Sequence, residues 1–320
     1  VLPDIELYGT LTVAQVKTMN SPLAFPRKPG NLTIKCTNAY LANVTLPGST
    51  TTIPQACTAA GVTTFTLGTI NANFPAREEI NTDRRQLRWV IGTQGKFNIG
   101  SMQVTFDAYY QRGKTDADVR LKNITLNARY NAAIDTTVVN GQIVCANATA
   151  RAEGCIPVNI FSGAPVSLEQ FLWMAPANGP AQLNVFKEDA AAISLNFSPF
   201  KTWAGDVSVA MGGEWRKESY GTRADVYGNG VTADTVNDAN YPASALLNSA
   251  GANWFAGNFK NGSGEYSVRE AFLELGIPLT SEEPSTELDR DNVTDNRYRN
   301  SLRASVARDN QQTVEVRLTV

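Results

Sequence analysis

Histidine is missing from all 320 residues of this chain. It is the usual proton carrier of enzymes near neutral pH, the base of most catalytic triads and the commonest transition-metal ligand. Its absence argues against serine and cysteine hydrolases and against zinc enzymes. The carboxylates Glu270 and Glu274 share one face of a predicted strand, about 13 Å apart by the rise per residue, which is too far for either glycosidase geometry. We therefore expect neither an enzyme nor a bound cofactor.

An excess of one charge and long apolar runs are also lacking. The 28 basic and 30 acidic residues give a formal net charge of -2, and no stretch concentrates lysine and arginine as a nucleic-acid surface would. No apolar run approaches the roughly 18 residues of a membrane-spanning helix, and the opening VLPDIELYGT is not a signal peptide, so we expect a mature chain or one cut from something longer. A membrane-spanning β-strand needs only about ten alternating residues, so a membrane location stays open.

Only four cysteines occur, and they fall as two close pairs. Cys36 lies near Cys57, and Cys145 lies near Cys155, a spacing that two local disulfides explain economically. Neither pair has the CxxC form of a zinc ribbon or a redox site. Two disulfides indicate an oxidising compartment such as the periplasm, the cell surface or the extracellular space. The alternative is four unpaired buried thiols.

The sequence does contain alternating apolar and polar residues, the pattern of β-strands that have one face in water. Residues 87–113 predict a hairpin with its turn at 98–100. Residues 190–218 repeat the pattern, and residues 267–279 form a third alternating run. The opening IELYGTLTV and the closing TVEVRLTV are also strand-like. We therefore predict a protein built mainly of hairpins.

The connections between these hairpins run to tens of residues rich in Asn, Thr, Gly and Ala, unlike the short loops of compact soluble sandwiches. One helix is predicted within them, beginning at the N-cap Ser167, with an apolar stripe of Leu168, Phe171 and Leu172. It either packs on a body of loops or belongs to a helical core.

The segment 280–312 is highly charged and predicts a solvated linker before the last strand. Three of its aspartates, Asp289, Asp291 and Asp295, have a spacing that resembles a calcium loop. The glycine of the sharp turn and the bidentate glutamate of that motif are missing. Calcium binding at 289–295 is therefore left open.

Six short sequence segments make the β-strand prediction more specific. In this order, the chain contains RWVIGTQGKFN, FDAYYQRGKTD, LNARYNAAIDTTVVNGQIVC, GCIPVNIFSG, TWAGDVSVAMGGEWRKES and YSVREAFLELGIPL. Together they resemble TonB-dependent outer-membrane receptors of the alphaproteobacterial type. The likeness covers roughly residues 85–280, and CTNAYL and GVTTFTLGT extend it upstream to about residue 36.

The resemblance implies an all-β fold, an antiparallel meander of hairpins from an outer-membrane β-barrel with long extracellular loops. It divides the chain into an N-terminal strand with a long disulfide-closed loop region (1–84), barrel hairpins with long loops (85–279), and a charged linker with a C-terminal strand (280–320). It also implies that the cysteine pairs close loops outside the cell.

In such a barrel, one face of each strand contacts lipid and the other lines the lumen. The resemblance implies lipid-facing or girdle positions for the aromatic residues Trp89, Phe97, Phe106, Tyr110 and Trp215. It implies lumen-facing positions for the polar residues Asp107, Gln111, Glu214 and Arg216. The alternative for the aromatic residues is the core of a soluble protein.

The implied function is TonB-dependent uptake of a scarce nutrient, such as an iron chelate, a cobalamin or a carbohydrate, across the bacterial outer membrane. The implied partners are outer-membrane lipid, the TonB system and a small ligand whose binding residues the sequence does not reveal. The pattern accounts for about six to ten of the family's roughly 22 strands and for no plug domain, so the chain is a receptor fragment or a surface protein that reuses such hairpins.

A second hypothesis is a secreted or cell-surface β-rich protein, such as a fibre or adhesin subunit with a β-sandwich-like fold. Its edge strands, IELYGTLTV and TVEVRLTV, would pair with neighbouring subunits, because unpaired strand edges promote self-association. The location would then be the cell surface or the extracellular space.

Overall fold

The computed structural model describes residues 4–21, 27–255, 257–278, 301–308 and 314–319. Its largest element is a long antiparallel sheet, and the long connections between its strands carry short helices and small sheets. The strands are β1 (Asp4–Asn20), β2 (Arg27–Lys35), β3 (Thr64–Thr69), β4 (Glu79–Ile99), β5 (Met102–Lys122), β6 (Thr136–Val139), β7 (Gln142–Cys145), β8 (Ala181–Phe197), β9 (Lys201–Thr202), β10 (Gly205–Asp206), β11 (Ser208–Ala224), β12 (Gly262–Pro278), β13 (Ser301–Arg308) and β14 (Val314–Thr319). The helices are a 3₁₀ turn at Ala39–Leu41, α1 (Ile53–Ala60), α2 (Asn127–Ile134), α3 (Ala148–Ala152), α4 (Leu168–Met174) and α5 (Val226–Asn229).

Six strands form the predicted antiparallel meander, in the order β1, β4, β5, β8, β11 and β12, and β13 and β14 extend it beyond β12. The meander is therefore confirmed. In the described part of the chain this sheet is open and is not closed into a barrel.

The strand β13 lies inside the segment 280–312, which the sequence predicted to be a linker throughout. That prediction is wrong over 301–308, where the backbone pairs with β12. Pairing satisfies N–H and C=O groups that β12 would otherwise leave free at an edge. The aspartates at 289, 291 and 295 lie outside the described residues.

The hairpin of β4 and β5 is paired over the whole length of both strands. No bulge interrupts this pairing, so successive side chains alternate between the two faces of the sheet from one end to the other. The chain reverses through Gly100, whose φ of 63° lies in the left-handed region that two-residue hairpin turns require. The turn is shorter than predicted, since Asn98 and Ile99 still belong to β4.

The long connections after β1, β5 and β11 leave the sheet at the end opposite Gly100. The first two share one hydrophobic core. Its buried residues are Leu32, Ile34, Leu41, Tyr130, Ala133, Ile134, Val158, Val166, Phe171, Met174 and Ala175. We call this region the loop body.

The predicted helix is confirmed as α4, which packs on the loop body. Ser167 caps it, and Gln170 completes a capping box by accepting from the backbone N–H of Ser167. The predicted stripe is wrong: Leu168 and Leu172 are exposed, whereas Phe171 and Met174 are buried. The helix has only two turns, so its contacts depend on which side meets the loop body. None of the helices in the described ranges is long and apolar enough to cross a membrane.

The third connection packs on the loop end of β5 in a second cluster. Its buried members are Leu121, Ile124, Leu126, Tyr227 and Trp254. Beside it, the buried carboxylate of Asp225 accepts hydrogen bonds from Trp254 Nε1 (2.8 Å) and from the backbone N–H groups of Gly228 (2.7 Å) and Ala181 (3.0 Å). These three donors compensate for its burial.

Candidate functional site: the two faces of the sheet

Strand register decides which side chains share a face of the sheet. The cross-strand pairs place all five aromatic residues singled out in the sequence on one face, which we call the apolar face: Trp89, Phe97, Phe106, Tyr110 and Trp215. They place all four polar residues on the opposite, polar face: Asp107, Gln111, Glu214 and Arg216. What each face contacts remains a prediction.

The apolar face is exposed where a soluble protein would bury it. Leu7 is 81% exposed and Leu11 is 68% exposed, although both project from the middle of β1. Side chains of the same kind continue across the neighbouring strands. They include Ile5, Val13, Leu87, Ile91, Ile193, Met211 and Leu273, each at least 40% exposed. An apolar surface this extensive marks a site of contact with a partner or with lipid.

On β5 and β11 the band of apolar side chains ends in an aromatic residue, Tyr110 or Trp215, followed by a charge. The rings of Trp89 and Tyr110 lie 5.4 Å apart, and the Tyr110 hydroxyl donates to Asp189 Oδ1 at 2.7 Å. Arg112 Nε lies 3.7 Å from the same carboxylate oxygen. Along β5 the change from an apolar to a charged side chain on this face therefore takes a single step, from Tyr110 to Arg112.

This boundary runs obliquely across the sheet. On the apolar face, the first polar residue toward the loop body on each successive strand is Gln15, Arg85, Arg112, Asp189, Lys217 and Arg269. Through the register, Gln15 pairs with Arg85, whereas Arg269 lies in the row of Ile91. The boundary stays in one row over three of the five strand intervals, and it steps by four residues between β4 and β5 and by two between β11 and β12. The net shift of about six residues corresponds to an average slope of about 40° at roughly 3.3 Å per residue and 4.8 Å per strand.

The polar face carries a chain of hydrogen bonds between strands. Arg88 on β4 donates to Gln111 on β5, which donates to Glu188 on β8. Farther toward the Gly100 turn, Asp107 accepts from the Tyr8 hydroxyl at 3.3 Å. Arg216 Nε lies 3.4 Å from Glu218 Oε1. Polar side chains on this face are therefore arranged in pairs and short chains.

A cavity of about 530 Å³ opens on the polar face. Five consecutive strands of the meander line it, so the sheet is concave on this side. Its lining includes Arg88, Gln111, Phe186, Glu188, Tyr220 and Tyr266. Of these, the sequence singled out only Gln111. The others share its period-two pattern, but only strand register brings them to one place.

Both predicted cysteine pairs are disulfides, and both lie outside the meander. Cys36 bonds to Cys57 and Cys145 to Cys155. The first joins the end of β2 to α1, and the second joins β7 to the turn after α3. Among the described residues, no group of three or more Cys, Asp or Glu side chains could hold a metal ion.

A buried cation helps to hold the loop body together. The guanidinium of Arg27 lies 3.7 Å from the ring centroid of Tyr130 and 3.8 Å from that of Phe255, and it donates to Thr125 Oγ1 at 2.9 Å. Burial lowers the pKa of Arg27 to about 10, against the opposing effect of Tyr130. Burial raises the pKa of Tyr130 to about 12, although Arg27 and a hydrogen bond to Asn71 oppose the shift. The stacking of Arg27 on these two rings therefore stabilises the fold of this region.

Similarity to known proteins adds nothing to what the two faces of the sheet indicate about function. No family model, no curated protein and no solved structure matches this chain.

Proposed function

We propose that this chain forms part of the wall of an outer-membrane β-barrel, in a TonB-dependent receptor that takes up a scarce nutrient. The observation that carries the proposal is the oblique boundary of the apolar face. A membrane surface is flat, so strands that cross it at a tilt must change from apolar to polar at a different residue on each strand. A slope of about 40° agrees with the tilt of about 35–45° typical of such barrels.

The dimensions of the apolar band support the same proposal. On β4 it runs from Leu87 to Ile99. That length is about 40 Å along the strand, or about 30 Å across a membrane when tilted by 40°, close to the thickness of the hydrocarbon core. Tyr110 and Trp215 lie at the edge of the band, where aromatic girdles occur, with the charges of Arg112 and Lys217 immediately beyond them.

The remaining features fit the two sides of such a wall. The concave polar face would line the lumen, and the loop body would stand outside the cell. Two disulfides weakly favour a non-cytoplasmic location. Energy transfer from TonB and passage of a ligand follow from the family resemblance alone.

No strand in the described part of the chain pairs with the outer edge of β1, and this favours a second candidate function, that of a fibre or adhesin subunit. β1 is a 17-residue strand at the end of the sheet, and its outer backbone groups could pair with a second copy. Edge pairing alone does not account for an oblique boundary on one face. We therefore rank this candidate second.

Depth measurements in lipid vesicles test the membrane proposal. Ile91 and Ala191 lie in one register row, but the oblique boundary puts Ile91 farther from the polar edge. We expect single nitroxide labels at these positions to be accessible to oxygen and shielded from a water-soluble relaxant, with Ile91 deeper than Ala191.

Labels on the polar face, at Val90 and Ala192, serve as matched controls. They should be accessible to the water-soluble relaxant. Equal exposure of all four labels to that relaxant, or a chain that remains soluble and folded without detergent or lipid, would contradict the proposal. Filament formation without lipid would favour the fibre candidate.

A further inference from the structure

The cavity on the polar face combines aromatic rings with planar polar groups. Phe186, Tyr220 and Tyr266 line it from three neighbouring strands, and each ring is about half exposed (50%, 50% and 52%). Phe186 is directly paired with Tyr220, so these two rings project side by side on one face. In a protein interior, rings of this size would be buried against one another. Here they leave apolar surfaces open to the cavity.

The polar groups beside these rings are held in place by one another. Gln111 is fixed between Arg88 and Glu188. Tyr266 is paired with Glu218, whose carboxylate Oε1 lies 3.4 Å from Arg216 Nε. Groups fixed in this way need little reorganisation to bind a ligand.

The charges around the cavity balance. Arg88 and Lys187 among the lining residues, together with Arg216 beside the cavity, stand against the carboxylates of Glu188, Glu218 and Glu265. A strongly anionic or cationic ligand would meet both opposite and like charges, so electrostatic attraction would add little to its binding free energy. Hydroxyl groups, which both donate and accept, suit this mixture of donors and acceptors.

We infer that the cavity binds a neutral saccharide, with the sugar ring against Phe186, Tyr220 and Tyr266 and its hydroxyls on Arg88, Gln111 and Glu188. Sugar C–H groups carry partial positive charge and pack well on the negative faces of aromatic rings. Planar side chains such as guanidinium, amide and carboxylate can each bond two adjacent hydroxyls. The inference rests on the proposed function, because it takes this wall to be the lumen side of a receptor.

The position of the cavity along the strands supports a role in ligand entry. Arg88 and Glu188 lie in one row, directly next to the row of Arg112 and Lys217 and on its loop-body side. In a membrane, the central strands β5, β8 and β11 would cross the outer edge of the hydrocarbon region close to this row. A ligand bound there would occupy the mouth of the lumen, below the loop body.

A glycan array followed by calorimetry tests the inference. The full chain, folded in detergent and labelled, is applied to an array of neutral and acidic oligosaccharides, and the best-retained one is titrated. We expect neutral oligosaccharides to be retained, and Phe186→Ala or Tyr266→Ala to weaken binding by tenfold or more.

Tyr109→Ala is the matched control, because Tyr109 lies on the same face outside the cavity. It should bind like the unmodified chain. Retention of no glycan, retention of acidic glycans only, or equal affinity of all three variants would overturn the inference. Nitroxide depths show separately whether the sheet lies in a membrane, so loss of saccharide binding alone would leave the receptor proposal standing.

Discussion

The phenol ring of Tyr8 on β1 lies against Gly92 of the neighbouring strand, so closely that a Cβ at position 92 would stand 2.2 Å from Cζ of the ring. Tyr8 and Gly92 are directly paired. The rings of Phe272 over Gly212 and of Tyr220 over Gly264 repeat the arrangement on the same face. Rings laid over glycines bury backbone that a glycine leaves bare and help to fix the register of adjacent strands.

Replacing Gly92 should therefore destabilise the sheet at β1. In Gly92→Ala the new methyl group displaces the Tyr8 ring and disturbs its hydrogen bond to Asp107. We expect a loss of about 1–3 kcal/mol in the free energy of unfolding, measured by urea titration of the folded chain. Gly221→Ala is the control, because a Cβ there would meet nothing within 4 Å. Similar losses in both variants would show that the ring contact contributes nothing.

A charge on the apolar face should be costly only in lipid. Leu7 lies in the middle of the band on β1, and Leu7→Arg should destabilise the chain folded in vesicles by about 2–4 kcal/mol, as expected for arginine near the midplane of a bilayer. Thr10→Arg places the same side chain on the opposite face of β1 and should have little effect. Equal effects of the two substitutions in urea titrations would contradict the assignment of the faces.

The disulfide between Cys145 and Cys155 should protect its part of the loop body. The bond closes a short loop, and the paired change Cys145→Ser with Cys155→Ser should lower local stability by about 3 kcal/mol through the entropy of the opened chain. Limited proteolysis should then cut within 146–154, while the strands of the sheet stay protected. Unchanged cleavage would show that Arg151, which donates to the carbonyls of Cys145 and Ala146, holds the loop without the bond.

Alkaline pH should remove the contribution of Tyr130. Its pKa rises from an ordinary 10.0 to about 12 in the folded chain, so the folded state keeps a proton that the unfolded state has lost. The stabilisation is complete below pH 10 and falls as the pH rises to 12. The difference in unfolding free energy between the unmodified chain and Tyr130→Phe should therefore shrink by about 3 kcal/mol over this range. A difference that stays constant from pH 9 to 12 would show an ordinary pKa.

The sequence alone predicted several elements correctly. Period-two alternation predicted the hairpins and put Phe106 and Asp107 on opposite faces of one strand, because side-chain direction in a strand alternates with residue number. A capping signal at Ser167 predicted α4, and close spacing predicted both disulfides. In each case the information is local, within a few tens of residues.

Contacts between distant segments could not be predicted in this way. Neither α1 nor α2 was predicted. The capping box of Thr52 with Gln55 and the C-cap Gly61 are local signals that could have indicated α1. α2 has no side-chain cap, and it is stabilised by the core that it shares with distant segments. Arg27 was not singled out either, since its partners Tyr130 and Phe255 lie far along the chain.

The sequence by itself determined which side chains alternate and which cysteines are near neighbours, because both depend on the covalent order of residues. Only the tertiary structure decided which rows those side chains join, that no described residue covers the apolar face, and that Gln111 meets Arg88 and Glu188 across three strands. Register is the reason: it is set by pairing between whole strands, and no single strand contains it.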